Sequence, residues 1–329
     1  MKKSFIPLIC IFFLLGLSAC KNKEEITKPV NIVRLDSLIA VYPELDSAKR
    51  VQLIDDYRDI LSNYGWIITG EANLNPDDIM LVEWANSPIT TMFGPKVNEI
   101  YTDLAPEQKS IATIIELSSE NDITLPAHTY ATAIWNVSNN ILVVDSVAYI
   151  GLNHYLGSGS DAYLGWADYK RALKNREMIP VDLAENLVAI SYPYSPNGDA
   201  NVLSRLLYEG ALATAKSTLV PDASPASILG FTEDSFHDVQ QHESFIWDRL
   251  VQGGLLYSTD AAVMSNLFDA RPASTILSAD APGRAARLVG YNIVQAYCKK
   301  NPEATLSFLL TPDFYSNGTE VIKSASYPD

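Results

Sequence analysis

The sequence predicts a predominantly α-helical α+β fold with a small central sheet, and three observations predict it. Apolar residues recur at helical spacing before residue 120 and again after residue 180. Between those stretches, segments 131–137 and 141–150 are apolar and rich in β-branched residues, which is the signature of strands. Helical pattern outweighs strand pattern by length, so helices should pack around a minor sheet.

Asp46-Ser47 can cap a first helix carrying Val51, Ile54, Tyr57, Ile60 and Leu61 on one face, because a short polar side chain satisfies the free N–H groups of the first turn. Pro76-Asp77-Asp78 opens a second, followed by Ile79, Val82 and Glu83, and Ala105-Pro106-Glu107 a third, with Ile111, Ile114, Ile115 and Leu117 apolar. Acidic residues in these first turns complement the helix dipole. Ser138-Asn139-Asn140 separates the two β-branched segments and reads as the turn of a hairpin. Further helices are expected at about 180–191, 199–219, 232–252, 259–268, 283–300 and 302–310. Pro180, Asp199, Thr232 and Thr259 mark starts, and Gly253-Gly254 marks a stop. In 283–300, Leu288, Val289, Ile293 and Ala296 form a stripe expected to bury against 199–219, with Gly290 beside it for a close helix contact.

The chain begins Met1-Lys2-Lys3, continues with an apolar run over 5–17 and reaches Leu17-Ser18-Ala19-Cys20. A basic start, a short apolar core and small residues before the cut make a secretory signal over 1–19. The run is too short to span a bilayer, which takes about 20 residues. Leu-Ser-Ala-Cys is the pattern at which bacteria acylate a cysteine, so Cys20 is expected to carry the lipid and residues 20–31 to form a tether. A folded domain is expected over 32–315 and a tail over 316–329. The membrane, reached through the lipid on Cys20, and other envelope proteins are the expected partners. The net charge of −15 falls further when Lys2 and Lys3 leave with the signal, which argues against nucleic acid as a partner. Cys298 would be the one remaining thiol, so no internal disulfide can form and the core must suffice.

The four histidines are His128, His154, His237 and His242. No His-Glu-x-x-His is present, the pattern that sets two imidazoles on one helical face to hold zinc. His237 and His242 are five residues apart, about 140° around a helix. No metal, cofactor or catalytic residue is therefore assigned, and the purified domain is expected to carry no stoichiometric zinc. There is no Gly-x-Ser-x-Gly elbow, and Cys298 has no neighbouring histidine, so nucleophilic catalysis has no support. The segment Gly151-Leu152-Asn153-His154-Tyr155-Leu156-Gly157 clusters polar groups at a strand end, with Asp161 and Tyr163 following, and is the first choice for a pocket wall. Glu209 stands among apolar neighbours, as a base or as the salt-bridge partner of Arg205 one turn earlier. The candidate pocket is bounded by His154, Asp161, Tyr208, Glu209 and Arg284.

The 151–157 segment resembles the Gly-Leu-Asp-x-Tyr-Leu-Gly element of the gliding-motility lipoprotein GldB family. Leu255-Leu256-Tyr257-Ser258-Thr259, Ala281-Pro282-Gly283-Arg284, and Gly290-Tyr291-Asn292-Ile293-Val294 leading to Ala296-Tyr297 follow in the family's order, and Trp247 fits its tryptophan. The resemblance covers about 30–315. It implies an envelope lipoprotein of Bacteroidetes linked to gliding and to type IX secretion. It also implies a scaffold similar to a zinc peptidase in which the metal helix corresponds to Ser204-Arg205-Leu206-Leu207-Tyr208, with the imidazoles and glutamate gone. Asn153 stands where the family has aspartate, and Ala211 where it has lysine. The reading that follows is a non-catalytic envelope lipoprotein acting through protein contacts. The alternatives are a hydrolase built on His154, Asp161 and Glu209, or a ligand-capturing surface lipoprotein.

Overall fold

Residues 30–328 are described by the computed structural model; the signal segment, Cys20 and most of the tether lie outside the described residues. Strands β1 (Ile32–Arg34), β2 (Thr129–Ala133), β3 (Ile141–Val144) and β4 (Val147–Gly151) form one sheet in the order β1-β2-β4-β3. β2 runs parallel to both β1 and β4, and only β3–β4 is antiparallel. The hairpin expected between 131–137 and 141–150 is therefore corrected. It lies inside the second segment and turns at Asp145-Ser146, both with positive φ, the two-residue geometry that matches strand twist. Asp-Ser is a weaker turn signal than Ser-Asn-Asn, which is why the sequence pointed to the wrong loop.

Both faces of the sheet are covered. Ala131, Ala133, Val147 and Tyr149 pack into a cluster with Leu35, Leu61, Leu81 and Trp84. Tyr130, Ala148 and Ile150 join the larger cluster on the other side, with Ile114, Leu187 and Leu206. Two buried faces explain why these strands read as continuous apolar runs rather than alternating ones.

The first cluster is built by α1 (Leu35–Val41), α2 (Ser47–Asp56), α3 (Arg58–Thr69) and α4 (Asp78–Ala85). The other face carries α5 (Pro88–Ile100), α6 (Ala105–Glu120), α8 (Ile179–Ser191) and α9 (Val202–Leu219), while the short α7 (Asp168–Arg171), before α8, buries no residue. Beyond them come α10 (Pro225–Leu229), α11 (Glu233–Gln241), α12 (Glu243–Gln252), α13 (Ala261–Phe268), α14 (Ala286–Lys300), α15 (Leu306–Leu309), α16 (Pro312–Tyr315) and α17 (Gly318–Ala325). Asp46, Asp77 and Thr232 cap their helices as expected, each accepting from the N–H three residues on. Two starts shift: Asn201 rather than Asp199 caps α9, and Asp260 rather than Thr259 caps α13. The expected 232–252 helix breaks at His242 into α11 and α12.

α9 is buried almost throughout, and its buried Glu209 and Lys216 are taken up in ion pairs. α14 crosses it at two glycines. A Cβ on Gly290 would strike the Leu206 carbonyl oxygen, and one on Gly210 would strike the Gly290 carbonyl, so the backbones themselves touch. The expected tail also changes character. Val321 and Ala325, one turn apart, are buried in α17, and Tyr327 meets Trp247 edge-on at 5.2 Å. Residues 318–327 belong to the folded domain. Among the described residues no helix is long and apolar enough to cross a membrane.

Candidate functional site

β4 ends in a single tight turn, Leu152–His154, that directs Asn153 and His154 inward. The Asn153 side chain grips the backbone of Trp135 from both sides, accepting from its N–H at 3.2 Å and donating to its carbonyl at 2.8 Å. Tyr163 staples the same loop: its hydroxyl donates to the Asn153 carbonyl and accepts from the Leu156 N–H. The loop is thereby held as one wall of a cleft of about 1020 Å³, at the upper end for small-molecule sites. Trp166, Phe93 and Ile89 supply apolar surface, with Trp135 buried behind them. His154, Lys170, Lys174, Asp182, Glu185 and Arg284 supply ionisable groups.

His154 is 3% exposed. Its Nδ1 lies 3.2 Å from Lys174 Nζ, and an ammonium can only donate, so Nδ1 is the acceptor and Nε2 carries the proton. Nε2 makes no hydrogen bond. Burial first, and then the Lys174 charge, push His154 from the ordinary 6.5 down to about 3, with the Val137 carbonyl opposing in part. The imidazole is neutral, and its basic nitrogen is already taken. Lys174 is itself lowered to about 8 by burial, against the opposing charge of Asp182. Asp182 accepts from Asn140 Nδ2 and from the Tyr155 hydroxyl, each at 2.8 Å, and burial raises its pKa.

Behind this wall runs a chain of ion pairs. Glu185 takes Lys216 Nζ at 2.5 Å and lies 3.7 Å from Arg287. Arg287 Nε sits 3.1 Å from Glu209, an ion pair by distance but off-line for a hydrogen bond. Arg205 holds the other oxygen of Glu209 at 2.5 Å. Burial opposes the charge on Glu185, yet the cations around it, Lys216 and Arg287 first and Arg284 after them, prevail and hold its carboxyl well below the usual range.

The structure brings only two of the five expected pocket residues to the cleft: His154 and Arg284 line it. Glu209 lies behind the wall, its carboxylate occupied by two arginines. Tyr208 points away into an aromatic cluster with Tyr194 and Tyr315 and donates to the Tyr192 carbonyl at 2.9 Å. Asp161 sits on an exposed turn, its side chain 73% accessible and paired with Lys96. Sequence reasoning missed Lys174, Asp182, Glu185 and Trp135. For two of these a signal exists, since Asp182, Glu185 and Asn186 form a polar i, i+3, i+4 stripe on the otherwise apolar α8.

The family model described as gliding motility protein GldB matches residues 19–328. The chain belongs to the GldB family. Neither a curated protein nor a solved structure matches it. Most of the GldB-like segments serve the frame of the fold. The carbonyls of Leu256 and Ser258 accept from the Leu203 and Val202 N–H groups, so the 255–258 segment satisfies the open start of α9. Gly290 permits the α9–α14 contact described above. The Asn153 departure also has a geometric basis here: the Trp135 carbonyl needs a donor, which an ionised aspartate lacks. Ser204, in the first turn of α9, pairs with the Tyr194 hydroxyl at 2.6 Å. Arg284 differs from these frame residues, because its backbone is at φ +68° and its side chain reaches the cleft.

Proposed function

We propose that this GldB-family chain is a lipid-anchored envelope component of gliding motility and the associated type IX secretion machinery, acting through protein contacts rather than catalysis. The family match over nearly the whole chain carries this reading, and the Leu17-Ser18-Ala19-Cys20 start supports the anchor. The condition of the acid–base candidates supports the non-catalytic part. Glu209 is held between two arginines, His154 presents no free basic nitrogen, and Asp161 faces solvent. A general base must reach its proton with a free lone pair, and none of the three offers one to the cleft. On the same reading, the scaffold is a peptidase-like frame whose metal helix now carries a tyrosine and serine network.

Two experiments test it. Labelled palmitate should enter the wild-type protein and not Cys20→Ala, which should also leave the membrane fraction; label in the variant would remove the anchor from the proposal. A strain lacking the gene should lose surface spreading or secretion, and His154→Gln should restore it. Normal spreading and secretion in the deletion strain would sink the motility reading. Failure of His154→Gln to restore them at wild-type protein level would favour the hydrolase.

A further inference from the structure

In a chain of net charge −15, the cleft gathers cations that form no ion pair with a carboxylate. Among the described residues, Arg284 makes no ion pair and no hydrogen bond, and its Nε is buried without a partner. Lys174 donates to Asn140 and His154, and Lys170 lies beside the Tyr169 ring; neither is in an ion pair, although the charge of Asp182 reaches Lys174. The two acids in the wall do not compensate. Glu185 is already matched by Lys216 and Arg287, and Asp182 is occupied by Asn140 and Tyr155.

The placement of Arg284 is built, not incidental. Its φ of +68° is a conformation that a non-glycine residue adopts only when its surroundings impose it. Opposite it, a Cβ on Gly230 would come within 2.6 Å of the guanidinium, so glycine there keeps the room it needs. A buried guanidinium without an anion is costly, and a carboxylate or phosphate supplies the bidentate partner it lacks. Beside these cations stands an exposed indole: Trp166, 40% accessible, lines the same cleft, and Lys174 Nζ lies 5.6 Å from its ring centre.

We propose that the cleft binds a small organic anion, its carboxylate or phosphate taken by Arg284 and Lys174 and its apolar body lying against Trp166 and Ile89. This site stands whether or not the protein serves motility, because it rests on the cleft alone.

Calorimetric titration of the mature protein with naphthoate, naphthyl phosphate and uncharged naphthamide tests it. One of the two anions should saturate a single site, with the amide at least about tenfold weaker, and the tighter anion identifies the carboxylate or phosphate source. Affinity should fall with added salt. Arg284→Gln and Lys174→Gln should each weaken binding roughly tenfold. Should either fail to fold, the exposed Lys170→Gln provides the decisive variant, with a loss of several-fold expected. Absence of saturable binding by both anions, equal binding of the amide, or unchanged affinity in every folded variant would each overturn the proposal.

Discussion

Replacing Gly290 by alanine isolates the contact on which the largest core depends. In an exposed helix the change would stabilise by about 1 kcal/mol, because glycine is the more flexible residue in the unfolded chain. Here the new methyl would enter the Leu206 carbonyl oxygen. A side chain could rotate away, but a helical carbonyl is fixed by its own hydrogen bond, so α9 and α14 must separate. A gap of about 0.5–1 Å forfeits a quarter to a half of the dispersion energy of the atoms facing it, and those atoms include Leu206, Val289, Ile293 and Val294. Overpacking of this kind costs about 1–3 kcal/mol, and the rigid obstacle places it at or above the upper end. Packing should therefore exceed propensity, leaving Gly290→Ala about 2 kcal/mol less stable and its melting midpoint about 3 °C lower. Gly210→Ala should behave alike, since its methyl would meet the Gly290 carbonyl. Once one substitution has parted the helices the second costs less, so the double variant should be less destabilised than the sum. Thermal and urea unfolding of the four proteins decides it. An unchanged or raised midpoint in Gly290→Ala would refute the reasoning.

His154 has its folded pKa depressed to about 3 from 6.5, so it contributes stability that is present above 6.5 and lost as pH falls from there towards 3. Between pH 8 and pH 5 wild type should lose about 2 kcal/mol more than His154→Gln, each pH unit below 6.5 being worth about 1.4 kcal/mol; equal pH slopes in urea melts would show the imidazole is not buried neutral. Glu209→Leu leaves Arg287 buried without its nearer carboxylate and should cost about 3 kcal/mol, the low end because Glu185 still faces it at 3.7 Å. Asp161→Asn, on the exposed turn, should change the unfolding free energy from urea melts by less than about 0.5 kcal/mol; a larger loss would place Asp161 in a buried network after all.

Local signals carried much of the fold. Capping aspartates at 46 and 77 and the threonine at 232 are chemistry within three or four residues of one chain, and all three act as the sequence indicates. The α9–α14 contact was also legible, because a glycine beside an apolar helical stripe has few other uses. Strand pairing was not. β2 and β4 are parallel neighbours, and nothing in either segment records which edge of which strand the other will meet. The 316–329 region was missed because Val321 and Ala325 make a stripe of a single turn, too short to distinguish from a tail by periodicity.

The cleft was less legible for a related reason: it depends on which charges fail to pair, and pairing is settled in three dimensions. Glu209 and Arg284 look equally available in the sequence. In the fold Glu209 receives two arginines, one from its own helix and one from α14, while Arg284, three residues before that second arginine, receives none. The turn at φ +68° separates them, sending Arg287 into the ion-pair chain and Arg284 to the other side of it. A helix begun two residues earlier, with Arg284 in ordinary helical geometry, would remove that separation. The strained residue and the unpaired charge are thus one feature, and the segment Ala281-Pro282-Gly283-Arg284 gains a reason for its form: it stops short of the helix so that one guanidinium faces the cleft.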